Sequence, residues 1–314
     1  MIFLILWNSI KNYGWKLANR YINTPFNYAG NKFELLEQLL KLFPDNINIF
    51  YDVFVGSGSV FSNVKANKYI VNDIISPLIY FFAMLMVESR KEKYTISNHV
   101  KAVHSIYGLD KSEPNFRENY YLFRSHANKE FKNKADRILI GIYFYILLCT
   151  CNNNLIRFNK KMEFNQAFGN RVYNSNMEHK LIKYVDFLKE NEFYDKFRGF
   201  SQPFDVFLNN ISRLSHDNNF IYVDPPYLIT EAGYNVFWDE NKEIALYKML
   251  DSISDKVKWG VSNVISHKNQ TNKILKSWAS KYNIHYLNYN YDKVAKNKIG
   301  DTVEVFITNY STEK

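Results

Sequence analysis

The sequence predicts an α/β fold, a parallel sheet with crossover helices, interrupted by a mainly helical insertion that carries a β-hairpin. Three observations predict it. Strand and helix signals alternate up to about residue 87, and the alternation resumes near residue 203. Between them the chain turns rich in Lys, Asn, Tyr and Phe and reads as helices joined by loops. Strands alternating with helical patterns mark βαβ units. One sheet domain is therefore expected from residues 1–87 and 203–314, with residues 88–202 inserted into it.

Each element follows from its local pattern. NKFELLEQLLKLF (31–43) repeats apolar residues at helical spacing, and Pro44 ends it. INIFYDVFV (47–55) reads as a strand that runs into Gly56-Ser57-Gly58. VFSNVKAN (60–67) continues as a short helix and KYIVND (68–73) as a strand. SPLIYFFAMLMV (76–87) is a buried helix with Pro77 near its start, where a missing N–H does little harm. The longest apolar run, ILIGIYFYILLCTC (138–151), is too short to span a bilayer and reads as a core helix. CNNNLIRFNKKMEFNQAFGNR (151–171) breaks the helical pattern with Asn clusters, as a loop or a β-hairpin does. After residue 203, NFIYV (219–223), VKWGVSN (257–263), IHYLNYN (284–290) and VEVFITNY (303–310) read as strands. NKEIALYKMLDSIS (241–254) and NKILKSWASKY (272–282) read as helices.

Composition narrows the function classes. The chain has 314 residues and is 46% hydrophobic, which excludes a disordered protein. Lys and Arg number 40 against 31 acids, and this excess favours a polyanionic partner. The 24 Tyr and 25 Phe suit base stacking, although most are expected in the core. Cys149 and Cys151 lie two apart in one apolar run, which is neither metal nor redox spacing, and read as buried small hydrophobes. MIFLILW at the start is too short for a span and lacks a basic flank or cleavage site. A cytoplasmic, soluble protein without membrane contact or a metal site is expected.

Three pieces carry chemistry. The glycine turn after a strand lets backbone approach a ligand at the carboxyl edge of the sheet; an ordinary tight turn reads equally well. Gly56 and Gly58 lack the third glycine of a dinucleotide fingerprint, which disfavours a nicotinamide site. Asp73 ends the next strand, where an acid can accept both ribose hydroxyls or cap the following helix. Together they fit an adenosine-containing cofactor without phosphates, such as S-adenosylmethionine. The third piece is Asp224-Pro225-Pro226-Tyr227, a stiff corner closing an aliphatic strand. A plain turn is one reading. The other is catalytic: the Asp224 carboxylate and the Pro225 carbonyl hold an exocyclic amine, and Tyr227 stacks on its base. A base inside a duplex would have to be flipped out to reach them.

With these pieces in order, the chain resembles the Dam-type, α-group DNA adenine N6-methyltransferases. Tyr28-Ala29-Gly30-Asn31-Lys32 resembles the family's N-terminal cofactor segment, DVFVGSGSVFSN its Phe-x-Gly-x-Gly motif, and YIVNDIISPLI the segment with the ribose acid. NYYLFRSHAN (119–128) and NNLIRFNKKMEFNQAFG (153–169) resemble its recognition domain, and VSNVIS and VEVFITNY its last motifs. The resemblance implies a seven-stranded Rossmann-like sheet that binds S-adenosylmethionine and methylates N6 of adenine in double-stranded DNA. It implies cofactor contacts from Tyr28, Lys32, Phe54, Gly56, Gly58, Asp73 and Asp224, and catalysis by Asp224, Pro225 and Tyr227. It matches Arg157 to an arginine that reads guanine, with Asn153 and Leu155 as neighbouring contacts. Lys160 and Lys161 sit where phosphate contacts would be useful.

Three departures from the family pattern stand out. Tyr28 replaces a Trp, Asn31 replaces a Gly and so asks for a tolerated φ, and Ala167 replaces a Pro in the hairpin, which puts GATC recognition in doubt. The expected setting is a restriction-modification or phage/orphan enzyme, a monomer or weak dimer, whose cognate restriction endonuclease is not physically bound. The competing readings are an N4-cytosine methyltransferase and a non-catalytic DNA-binding protein of the same fold.

Overall fold

Strands β1 (Ile47–Asp52) and β4 (Phe220–Val223) lie side by side near the centre of the sheet, although about 170 residues separate them in sequence. The computed structural model describes residues 20–133, 136–213, 218–230, 237–288 and 302–312. The apolar start at residues 1–7, and residues 289–290 of the strand expected at 284–290, lie outside them. The remaining strands are β2 (Ala66–Asn72), β3 (Phe197–Phe200), β5 (Lys258–His267), β6 (Gln270–Thr271), β7 (Asn283–Leu287) and β8 (Thr302–Thr308). The main path runs β3-β2-β1-β4-β5-β8-β7, with β6 paired to the end of β5. Strands β3 to β5 along this path pair in parallel, whereas β8 is antiparallel to both of its neighbours. The main path has the seven strands expected and is mostly parallel, with the antiparallel β8 departing from an all-parallel sheet and β6 adding an eighth strand.

Strand β4 is apolar and buried throughout, and β1 is mostly so, because both faces of the sheet are covered. Side chains alternate between faces with period two. Phe50, Phe220, Tyr222 and Phe306 enter one buried cluster, and Tyr51, Ile221, Val223, Val305 and Ile307 the other. Helices α1 (Leu36–Leu42), α2 (Ser76–Ser89), α3 (Ile96–Ile106), α4 (Phe116–Asn133), α5 (Arg137–Thr150), α6 (Ser175–Glu190) and the short α7 (Phe193–Lys196) contribute to the first cluster. Helices α8 (Phe204–Ile211), α9 (Glu240–Ser252) and α10 (Lys273–Ala279) build the second.

The insertion is anchored on the first face. Helix α5 starts where the Asp136 side chain accepts from the N–H groups of Ile138 and Leu139. It buries every residue from Ile140 to Thr150, as its apolar run predicts. Gly141 allows a close approach to α2, since a Cβ there would come within 2.8 Å of the Tyr80 carbonyl oxygen. Cys149 and Cys151 are buried free thiols.

Three expectations are corrected. Residues 60–64 make turns in place of a helix, because only a few residues separate Gly58 from β2. Asn63 also spends its side chain on the Ile22 backbone, donating to the carbonyl and accepting from the N–H at 2.8 Å each. The helix expected from residue 31 begins as a 3₁₀ turn at Phe33–Leu35. Residues 197–200, assigned to the insertion, pair with β2 as the edge strand of the sheet.

Candidate active site

Chain order reverses between β1 and β4, and such a switch opens a crevice beyond the carboxyl ends of the strands. A cavity of about 1220 Å³ occupies it, lined by Asp52, Gly56, Asp73, Asp224, Tyr227 and Glu304 among others. Tyr28, Lys32, Phe54, Pro225 and Leu155 line it too. Eight of the nine predicted cofactor and catalytic residues, all but Gly58, therefore line one cavity, and Leu155 of the expected hairpin reaches it as well.

The glycine turn divides its labour. Gly56 has φ +47°, and a Cβ there would come 3.1 Å from the Tyr28 ring, so this backbone is bare towards the cavity and backed by an aromatic face. Gly58, at φ +77°, does not line the cavity. A Cβ there would lie 2.6 Å from the Phe82 ring and 2.7 Å from Phe61, so its role is packing. The departure at Asn31 also resolves differently from expectation. The left-handed residue of that turn is Gly30, at φ +80°. Asn31 instead accepts from the Phe33 N–H at 3.0 Å and from the Ser57 hydroxyl at 3.3 Å.

Asp73 ties the glycine turn to the start of the segment before α2. Its Oδ1 accepts from the Ile75 N–H at 3.0 Å, ahead of α2, and its Oδ2 accepts from the Gly56 N–H at 3.1 Å. Burial pushes its carboxyl up to about 6, against these backbone donors, which pull it down.

Asp224 leaves the end of β4 into a charged cluster. Lys32 Nζ lies 2.9 Å from Asp224 Oδ2 and 3.6 Å from Glu304 Oε1, and also donates to the Gly30 carbonyl at 3.0 Å. The Tyr227 hydroxyl sits 3.0 Å from Asp224 Oδ1 and 3.0 Å from Glu304 Oε1. Lys32 Nζ is 4.9 Å from the Tyr227 ring centroid, over one face. Burial raises the Asp224 carboxyl, and the Lys32 ammonium and the Tyr227 hydroxyl offset part of that rise. Lys32, expected as a cofactor contact, is in this structure the counter-ion of the corner.

Two members of the site escaped the sequence reading. Glu304 lies on β8 with 4% exposure. Its signal was an acid set among apolar residues in VEVFIT. Asp52 ends β1 with 1% exposure, and its Oδ1 has no hydrogen-bond partner among the described residues. Burial, then the charges of Asp224 and Asp73, push its carboxyl well up.

The segment 151–169 forms the expected hairpin. Cys151 bridges Phe168 and Phe158 bridges Phe164, both antiparallel. The tip closes through Asn159 N–H to Glu163 O at 2.9 Å, with Met162 left-handed at φ +57°. Lys160 and Lys161 are exposed at this tip, and Arg157 and Asn153 are exposed below it. Ile156 and Phe158 point into the core, which turns Leu155 and Arg157 outward. Helix α4 holds the returning arm with one face. Tyr120 and Arg124 donate to the Gln166 carbonyl at 2.8 and 2.9 Å, Asn128 pairs with both backbone groups of Phe164, and Lys132 meets Glu163 at 2.6 Å.

The profile of the family described as D12 class N6 adenine-specific DNA methyltransferase matches residues 28–292. The chain belongs to this family. D12 class methyltransferases use S-adenosylmethionine. The chain is 34% identical to the type II methyltransferase M.FokI of Planomicrobium okeanokoites, over 98% of this chain and 47% of that protein. It is 35% identical to the modification methylase StsI of Streptococcus sanguinis, over 94% of this chain and 44% of that protein. It is 29% identical to the DNA adenine methylase of Escherichia coli, over 66% of each. The chain thus spans about half the length of M.FokI and StsI.

The residues of this D12 class chain fit the family's cofactor. The bare Gly56 backbone lies against an aromatic ring, Asp73 offers acceptor oxygens, and Asp52 Oδ1 is a buried acceptor with no partner among the described residues. Gly56 and Tyr28 suit a flat ring system, Asp73 a ribose, and Asp52 an ammonium group. Among the described residues no helix is long and apolar enough to cross a membrane, and no acid, His and Cys cluster could hold a metal.

Proposed function

We propose that this chain transfers a methyl group from S-adenosylmethionine to N6 of an adenine flipped out of double-stranded DNA. One observation carries the reading: Asp224, beyond β4, and Asp73, beyond β2, open on the same cavity across the switch point of the sheet. The cofactor supplies an electrophilic methyl group. Asp73 would hold its ribose and Asp52 its ammonium, with Tyr28 beside the glycine turn.

The adenine amine is a weak nucleophile because its lone pair is shared with the ring. Asp224 and the Pro225 carbonyl would accept its two N–H groups, turning the lone pair towards the methyl carbon and stabilising positive charge as it develops. Lys32, 2.9 Å away, favours the carboxylate form of Asp224 against the effect of burial. Tyr227 would present the ring face away from Lys32 to the flipped base. The insertion, and foremost the hairpin, would bind DNA: Arg157 a guanine edge, Asn153 and Leu155 neighbouring groups, Lys160 and Lys161 phosphates. The resemblance to type II modification enzymes supports a restriction-modification role; a monomer or weak dimer, with a cognate endonuclease that is not physically bound, is part of the same proposal.

Expression in a non-methylating host followed by long-read sequencing tests the reading. The expected result is N6-methyladenine at one short site, with GATC the first to check, lost in Asp224→Ala. Methylated cytosine would overturn it in favour of the N4-cytosine reading, and unmodified DNA in favour of a non-catalytic binder.

A further inference from the structure

The β5–β8 pair outgrows the parallel sheet. Strand β4 stops at Val223, opposite Val261, but β5 runs six residues further, to His267, paired with β8 along the way. At about 3.4 Å per residue this arm reaches roughly 20 Å past the end of β4. Its register slips between Val264 and Ser266, so Ile265 is the extra residue of a bulge. Strict alternation would put Ser266 on the face of Val264, and the bulge gives that place to His267. Val264, His267, Thr302 and Glu304 accordingly line the cavity, and Ile265 and Ser266 do not. His267 Nδ1 and the Thr302 hydroxyl lie 2.7 Å apart, which fixes the ring. A hydroxyl that donates to Nδ1 leaves the ring hydrogen on Nε2, as a donor for a ligand. The next residue, Lys268, is exposed at the cavity with φ +52°, in the left-handed region that favours glycine. Only two residues join β5 to β6, a turn where Gly or Asn is usual. A lysine in such a backbone points to a use for its charge.

The shape of the cavity says which ligand these donors meet. Its 1220 Å³ exceeds the roughly 300–1,000 Å³ of a single small-molecule site. Gly56, Asp73 and Asp52, which suit the cofactor, stand at its β1–β2 end. His267 and Lys268 stand past Glu304 on the β5–β8 arm, and Glu304 is hydrogen-bonded to Tyr227 of the catalytic corner. Adenine itself is neutral, and the anionic part of a flipped nucleotide is its phosphate. A ring N–H next to an ammonium suits that group. We propose that His267 and Lys268 grip the backbone phosphate of the nucleotide whose adenine enters the cavity. On the methyltransferase reading above, on which this rests, a held phosphate keeps the nucleotide from swinging back into the duplex while Asp224 meets its amine. The hairpin would read neighbouring bases from the insertion. The arm holds the target from the catalytic domain, by a contact that carries no sequence information of its own.

Lys268→Gly removes the charge and relieves the backbone, so it should melt no earlier than wild type. Its affinity for duplex DNA carrying the methylated site should fall about tenfold, the scale of one charged hydrogen bond. S-adenosylmethionine should bind it as tightly as it binds wild type. His267→Ala should weaken DNA binding in the same way. DNA with a methylphosphonate in place of one phosphate beside the target adenine is neutral at that point. At one of the two flanking positions wild type should bind such DNA about tenfold more weakly, and Lys268→Gly should lose nothing further there. Three results would overturn the assignment: full DNA affinity in Lys268→Gly, losses that multiply at both flanking positions, or weakened S-adenosylmethionine binding, which would make the cofactor's carboxylate the anion held. Any of these in a protein that methylates its site defeats the phosphate grip alone. A wild type that methylates no DNA defeats the methyltransferase reading and the grip together.

Discussion

The Gly56 N–H donates to Asp73 Oδ2 over 3.1 Å, so the turn after β1 and the acid after β2 are one unit. A ligand that meets the glycine backbone therefore meets the Asp73 carboxylate as well. Burial raises this carboxyl to about 6, so its charge is in play just below neutral pH.

The sign of its effect can be worked out. A carboxyl raised on folding favours the folded state when protonated. Its contribution is complete below the unfolded value of 3.8 and is lost as pH rises through about 6. The melting temperature of wild type relative to Asp73→Asn should thus fall between pH 4 and pH 7. Ribose hydroxyls need the charged form, so affinity for S-adenosylmethionine should move the other way and weaken below about pH 6. Asp73→Asn should bind about 1.5–3 kcal/mol more weakly at pH 7.5, with no such pH dependence. Calorimetry at two pH values reads both; equal affinity of variant and wild type would return Asp73 to its role ahead of α2.

Asp224→Ala should abolish methyl transfer without unfolding the chain. Asp224→Asn keeps one acceptor oxygen but sets an amide against Lys32 or Tyr227, and should lose about 10²–10³ in kcat. Transfer from labelled S-adenosylmethionine measures this, with circular dichroism as the control for folding. Wild-type turnover in either variant would take Asp224 out of the chemistry.

The two glycines of the turn should fail in different ways. Gly58→Ala forces a side chain into φ +77° and into the Phe82 and Phe61 rings, and should cost about 2–4 kcal/mol of stability by denaturant titration. Gly56→Ala meets the half-buried Tyr28 ring beside the cavity and should lose cofactor affinity at a smaller cost in stability. Equal unfolding midpoints for the two variants would contradict this division.

How legible these features were depended on whether their cause is local. Strand β4 and its Asp-Pro-Pro-Tyr corner are written in consecutive residues, and so is the glycine turn. Helix α5 could be read because an apolar run of that length has few other solutions. Glu304 could not be assigned, because its partners, Lys32 and the Asp224–Tyr227 corner, lie far from it in sequence and meet only through the order of the sheet. Gly58 looked like a ligand glycine because spacing does not reveal which way a turn faces. The edge strand at 197–200 was hidden for a similar reason: FRGF is short, and only its pairing with β2 makes it a strand.

The hairpin should depend on helix α4 for its rigidity. Asn128 donates to the Phe164 carbonyl at 3.0 Å and accepts from its N–H at 2.8 Å. Asn128→Ala leaves both groups unpaired, which should cost about 1–3 kcal/mol locally. Hydrogen exchange at Phe164 and Gln166 should speed up while the β1 and β4 amides stay protected. Unchanged exchange at Phe164 would mean that the hairpin holds itself.

Arg157 and Lys160 offer the sharpest test of how the hairpin meets DNA. Both are exposed, but Arg157 stands on the arm next to Leu155, which reaches the cavity, and Lys160 stands at the tip. A guanidinium can hold O6 and N7 of one guanine together, so Arg157→Ala should cost about 1–3 kcal/mol and relax selectivity at a single position. An ammonium at the tip is suited to phosphate. Its loss should weaken all sequences alike and reduce the slope of log affinity against log salt by about one. The measurement is methylation and binding on a panel of single-mismatch sites at two salt concentrations. If Arg157→Ala lowers cognate and mismatched sites equally, the arm touches the backbone, and specificity must come from elsewhere on the insertion. Ala167 sits in the arm opposite, where its carbonyl accepts from the Asn152 N–H at 2.8 Å. The loop that presents Asn153 is thus tied to the residue that departs from the family's proline, and a site other than GATC would be explained there first.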